Sequence, residues 1–159
     1  MSFQTAVNLY PAPAVAGDRA SQNPIVYMPY NFLAGDSAVA VGGFVWADST
    51  HPTTEVVSSG SGKPLGFVER ELNKPLYNLN SEGSLILPEG AELAVAVRGD
   101  FWVVGENAAT VGKAVFVKSA DGSKIKFNNS GETMSGYVET DFKALTAGSA
   151  GDLVIIGNW

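Results

Sequence analysis

The spacing of apolar residues from residue 42 onward constrains the fold most strongly. Short runs rich in Val, Ile, Phe and Trp end repeatedly at Gly, Asp, Asn or Ser, which is typical of β-strands bounded by turns. No stretch places apolar residues at helical spacing over three turns. The pattern predicts an all-β domain, a jelly-roll-like sandwich or a barrel. The predicted strands are Phe44–Ala47, Glu55–Ser58, Leu65–Glu69, Leu85–Leu87, Leu93–Arg98, Phe101–Val104, Ala114–Lys118, Lys124–Phe127, Gly136–Glu139 and Leu153–Ile156.

One turn also predicts a strand pairing. Asp121 and Gly122 lie between two short apolar runs, and Asp-Gly in that position is a strong hairpin signal. We therefore expect Ala114–Lys118 to pair with Lys124–Phe127.

The chain resembles itself at an offset of 70 residues. Gly35–Gly42 aligns with Gly105–Gly112, and Gly66–Glu69 aligns with Gly136–Glu139, without a gap between the two blocks. The abundance of Gly and Val in β proteins leaves chance as the alternative. A shared offset for two separate blocks favours a duplicated β unit, with copies at 35–104 and 105–159. Two such small units can bury apolar faces that neither could bury alone.

The segment 1–34 is predicted to be an extended N-terminal arm preceding a β domain at 35–159. Four prolines in the segment oppose helix and central strand. Free disordered tails are poor in aromatic residues, yet this segment is not, so we expect it to dock on a neighbouring chain or on its own domain. In the β domain, Trp102 follows Phe101 and therefore points to the opposite face, and Trp159 ends the chain. The predicted contact residues are Phe3, Leu9, Tyr10, Ile25, Tyr27, Tyr30, Phe32, Trp102 and Trp159.

Charge and composition exclude several classes of partner. The net charge is −6 and only 16% of residues are charged, with no basic run to displace counterions from nucleic acid. No apolar run approaches the ~20 residues of a membrane span, and the N-terminus lacks the pattern of a secretion signal. The absence of cysteine excludes disulfides and thiolate-bound metals. We expect no nucleic-acid or membrane partner, and synthesis in the host cytoplasm.

The residues of catalysis are sparse. The single histidine, His51, lies in a polar loop, and no Gly-x-Ser-x-Gly motif or phosphate-binding loop accompanies it. We therefore expect no enzymatic activity, no metal and no cofactor, and interpret His51 as a solvated side chain. Two other functions stay open: a carbohydrate-binding β module that stacks Trp102 or Trp159 on sugar rings, and a small β-fold hydrolase.

Several stretches in order along the chain resemble the cement, or capsid decoration, proteins of tailed-bacteriophage heads. This resemblance implies a jelly-roll-like domain on the outer surface of the virion. It also implies a homo-oligomer, with a dimer favoured, that bridges and stabilises subunits of the major capsid protein. Residues Val26–Gly35 depart from the family pattern. The resemblance rests on Met1–Asn8, Pro11–Asp18, Ala20–Pro24, Val41–Asp48, Gly66–Glu71 and Gly99–Val103.

Overall fold

A computed structural model describes residues 12–36, 38–71, 85–131 and 133–159. These ranges contain twelve β-strands and no helix, which confirms the all-β prediction. None of the described residues belongs to a helix that could span a membrane. The strands are β1 (Val26–Tyr27), β2 (Phe32–Ala34), β3 (Phe44–Ala47), β4 (Glu55–Val57), β5 (Gly66–Val68), β6 (Glu92–Leu93), β7 (Val95–Arg98), β8 (Asp100–Val104), β9 (Ala114–Lys118), β10 (Asp121–Phe127), β11 (Tyr137–Ala144) and β12 (Leu153–Gly157).

Two sheets form a sandwich. The first contains seven strands in the order β1-β7-β5-β3-β4-β2-β6, and the second contains five in the order β10-β9-β11-β12-β8. Every pairing is antiparallel except that of β2 with β4. The strands β2 and β6 thus extend the first sheet beyond the antiparallel set that it shares with the second.

Most predicted strands are present, with two informative differences. The predicted strand Leu93–Arg98 is divided at Ala94 into β6, which pairs with β2, and β7, which pairs with β5. The run at Leu85–Leu87 forms only a single bridge, between Ile86 and Ala40. Local β propensity identified both regions, but the available pairing partners decided where each strand starts and stops.

The predicted hairpin is present, with its turn two residues earlier than expected. Strands β9 and β10 pair antiparallel, and Asp121 lies opposite Lys118, so Ser119 and Ala120 make the turn. The register shifts between Asp121 and Ile125. At Gly122 a Cβ atom would lie 1.9 Å from the Phe44 carbonyl oxygen. This glycine therefore allows the hairpin to approach β3 rather than forming the turn.

The duplication reappears in the strand order. Five strands of the first sheet run β1-β7-β5-β3-β4, and the second sheet runs β8-β12-β11-β9-β10 in the matching order. The offset of 70 residues places β3 on β9. It also pairs Gly42 with Gly112, whose φ angles are 81° and 82°. By strand order the units begin at β1 and β8, earlier than the predicted copies at residues 35 and 105.

Alternating residues of the first sheet enter two separate cores. Phe44, Trp46 and Phe67 face the second sheet and join a core that contains Phe101 and Phe142. Their neighbours along the same strands point the other way, as expected for strands with a period of two. The second core contains Phe32, Ala34, Val39, Val45, Val56, Val68, Leu87, Leu93 and Val95. Strands β2 and β6 contribute Phe32 and Leu93 to it, so the first sheet is buried on both faces.

Candidate interaction surface

The described part of the predicted arm lies along the edge of the second sheet. The Gly17 amide donates to the Trp102 carbonyl at 2.7 Å, the Trp102 amide donates to Asp18 at 2.9 Å, and the Ala20 amide donates to Asp100 at 2.8 Å. These bonds pair the segment with β8, the last strand of that sheet. An edge strand that would otherwise present free backbone groups is thereby covered.

Charged side chains fasten the same segment to the first sheet. Arg70 Nη1 donates to Asp18 Oδ1 at 3.0 Å, and Arg19 Nη2 donates to Glu69 Oε1 at 3.2 Å. The Tyr27 hydroxyl donates to Glu69 as well. Burial, together with the hydrogen bond to Glu69 and the charge of that carboxylate, raises the pKa of Tyr27 to about 12. The neutral phenol is thus the form that this cluster stabilises.

A groove of about 650 Å³ opens beside these contacts. Tyr27 and Trp102, both predicted contact residues, line the same groove although they are far apart in the sequence. The groove combines two aromatic side chains with charges of both signs. Its lining consists of Pro13, Ala14, Asp18, Arg19, Tyr27, Glu69, Arg70, Glu71 and Trp102.

The outer face of the second sheet continues from Trp102. Trp102 lies opposite Ile155, and Val104 lies opposite Leu153, in the pairing of β8 with β12. Because Phe101 and Val103 enter the core, Trp102 and Val104 point outward. Val104 is 42% exposed. We define the apolar outer face as Trp102, Val104, Leu153 and Ile155.

The remaining predicted contact residues take different positions. Ile25 packs against the core between the sheets, and Tyr30 is exposed with its ring centroid 5.0 Å from that of Phe32. Phe32 is only 1% exposed. The prediction of a surface contact is therefore wrong for Phe32, because β2 is part of the first sheet and carries this ring into the second core. Phe3, Leu9 and Tyr10 lie outside the described residues.

Trp159 remains largely exposed, at 60%. Its indole nevertheless bonds to Asp100, which also holds Ser21 and Asn23. The end of the chain thus lies beside the segment that covers β8.

Sequence reasoning missed the charged half of the groove and the apolar outer face. The acidic and basic residues at 69–71 resembled an ordinary solvated strand end. The alternation of Phe101, Trp102, Val103 and Val104 did indicate two apolar faces on β8. That alternation was the available signal for Val104.

Comparisons with known proteins agree with this description. Residues 3–158 match the family described as XM1 gp53 minor capsid protein. A similar solved structure is described as the capsid of Myoviridae Phage XM1, with a TM-score of 0.69 and 18% identity over 99% of this chain and 97% of that chain. This structural likeness supports the fold. A search of curated proteins gave no match. Because the family match spans nearly the whole sequence, the chain belongs to the XM1 gp53 minor capsid protein family.

Proposed function

We propose that this capsid protein decorates the outer surface of a phage head by binding the major capsid protein. The observation that carries the proposal is the groove shared by Tyr27 and Trp102, which continues into the apolar outer face. Membership of a minor capsid protein family supports a structural role in the virion and no enzymatic one. The groove and the face are offered as the side that meets the shell.

The composition of this surface suits a protein partner. Trp, Tyr and Arg are enriched at protein interfaces and supply much of their binding energy. The groove holds all three residue types, as Trp102, Tyr27, Arg19 and Arg70. Contiguous apolar residues that stay exposed on a soluble domain also favour a site for another protein.

Charge favours the outside of the head over its interior. The net charge is −6, and the basic residues form no run. A protein that lines packaged DNA gains affinity by neutralising phosphates, and this chain has little means of doing so. An outer position avoids that repulsion.

The arm and the oligomer complete the proposal. We infer that Phe3, Leu9 and Tyr10 contact the major capsid protein or a neighbouring copy, and that the protein acts as a homo-oligomer, with a dimer favoured. A dimer that engages two capsid subunits would gain affinity through effective concentration, without any new contact. It would thereby bridge and stabilise the shell.

Cosedimentation with phage heads that lack this protein tests the proposal. The wild type is expected to bind saturably, at a fixed ratio to the major capsid protein. Val104→Asp places a charge on the apolar outer face and should abolish binding. Val111→Asp is the matched control, because Val111 is 59% exposed in the loop before β9, away from that face.

Each outcome is decisive. Absence of saturable binding by the wild type would overturn the proposal in favour of the sugar-binding alternative, in which Trp102 stacks on a sugar ring. Equal binding by both valine variants would remove the apolar outer face as the interface.

A truncation separates the arm from the fold. Deleting residues 1–11 leaves all twelve strands intact, whereas deleting 1–34 removes β1 and β2 together with the core side chain of Phe32. The shorter deletion is therefore the clean test. We expect it to weaken binding to heads while unfolding at the wild-type temperature, and undiminished binding would refute the role of Phe3, Leu9 and Tyr10.

A further inference from the structure

The loop between β3 and β4 brings the single histidine to two carboxylates. His51 Nδ1 lies 3.3 Å from Glu55 Oε2 and 3.7 Å from Asp48 Oδ2. One donor atom from each of the three residues lies within 4.8 Å of the others. The same imidazole nitrogen thus faces both acids, and no basic side chain is recorded in this cluster.

These separations match the shell of a small transition-metal cation. Zinc lies about 2.0–2.2 Å from imidazole nitrogen and carboxylate oxygen, so neighbouring ligands of a tetrahedral site are separated by roughly 3.4 Å. We propose that Asp48, His51 and Glu55 bind a divalent transition-metal cation of the zinc class. Imidazole with carboxylates is a ligand set that suits such ions, and two carboxylates balance the charge of the cation.

The backbone holds the ligands in place without the histidine side chain. Asp48 Oδ2 accepts hydrogen bonds from the Thr50 and His51 amides at 2.8 Å each. The Glu55 amide donates to the His51 carbonyl at 2.9 Å, and the Asp48 amide donates to Glu55 at 3.0 Å. The loop is therefore ordered before any cation arrives, which lowers the entropic cost of binding.

The site is also open. The His51 side chain is more than half exposed, and the two carboxylates are partly exposed. Three protein ligands leave at least one coordination position for water, as in open zinc sites. The cation would be reached directly from solvent, with no movement of the sheets.

Titration of the full chain with Zn²⁺ and with Co²⁺ tests the site. We expect one equivalent to bind by calorimetry, and the Co²⁺ complex to show the visible absorption of a low-coordinate site. Because His51 is the only histidine, its imidazole NMR signals report on this site alone and should shift with one equivalent of Zn²⁺. Mg²⁺ should not compete, because it prefers an octahedral oxygen shell.

His51→Gln is the decisive variant, because it removes the imidazole and leaves the backbone bonds of the loop. Affinity should fall by more than about 100-fold, since loss of even an outer partner of a ligand costs 10–100-fold. Glu89→Gln, at an exposed acid in the turn before β6, is the control and should bind as the wild type does. Absence of saturable binding by the wild type, or unchanged affinity in His51→Gln, would overturn the proposal.

Discussion

The indole Nε1 of Trp159 donates a hydrogen bond to Asp100 Oδ1 at 2.5 Å. The other oxygen of that carboxylate accepts from the Ser21 hydroxyl at 2.6 Å and from the Asn23 amide group at 2.7 Å. Asp100 is only 4% exposed. One buried carboxylate therefore joins the N-terminal segment, the last residue and the first residue of β8.

Asp100→Ala should lower the free energy of unfolding by about 2–4 kcal/mol, because three hydrogen bonds to a charged group are lost. Urea unfolding of the full chain measures this loss. Asp141→Ala is the control, since Asp141 forms only an exposed ion pair with Lys63, and such pairs contribute about 0–1 kcal/mol. Equal losses for the two variants would contradict a special role for Asp100.

Phe67→Ala should be among the most damaging changes in the core. The Phe67 ring is fully buried, with its centroid 4.6 Å from that of Phe101 and 5.3 Å from that of Phe44. Truncating a buried Phe to Ala costs about 3–5 kcal/mol, through lost transfer free energy and the cavity that remains. Leu145→Ala, at an exposed position, should cost less than about 1 kcal/mol. Comparable urea midpoints for the two variants would argue against packing of the two sheets through this ring.

Gly122→Ala tests the close approach of the β9–β10 hairpin to β3. The added methyl group would collide with the Phe44 carbonyl, while the Gly122 amide donates to the Ser58 carbonyl at 2.7 Å. We expect a loss of about 3 kcal/mol or more in thermal or urea unfolding, because backbone must move.

Gly62→Ala is the control for conformational strain alone. Gly62 has a φ of 75° with no atom within 4 Å of the added methyl group. Its substitution should cost only about 1–2 kcal/mol. A Gly122→Ala variant as stable as Gly62→Ala would show that the hairpin can shift freely.

The Tyr27–Glu69 contact predicts a loss of stability at alkaline pH. The pKa of Tyr27 rises from 10.0 to about 12 in the folded chain, so folding favours the neutral phenol. This contribution is complete below pH 10 and disappears as the pH rises towards 12. Urea unfolding at pH 8 and pH 11 should show a smaller loss for Tyr27→Phe than for the wild type. The same pH dependence in both proteins would exclude this contact as the cause.

The strand pattern and the offset of 70 residues were accessible from the sequence because both depend on local residue order. Alternation of side chains assigns each residue to a face, and Gly42 and Gly112 occupy equivalent turns with nearly equal φ angles. Neither feature identifies the neighbour of a strand. The division at Ala94, which sends β6 to β2 and β7 to β5, depends on pairings between distant segments.

The same distinction applies to the candidate surface. The sequence by itself determined that the chain is all-β, that it contains a duplicated unit and that Trp102 points away from Phe101. Only the tertiary structure decided that Phe32 enters a core, that Tyr27 reaches the groove of Trp102, and that Asp48 and Glu55 converge on His51. The physical reason is that period-two alternation fixes the direction of a side chain locally, whereas burial and contact depend on which distant strand packs against it.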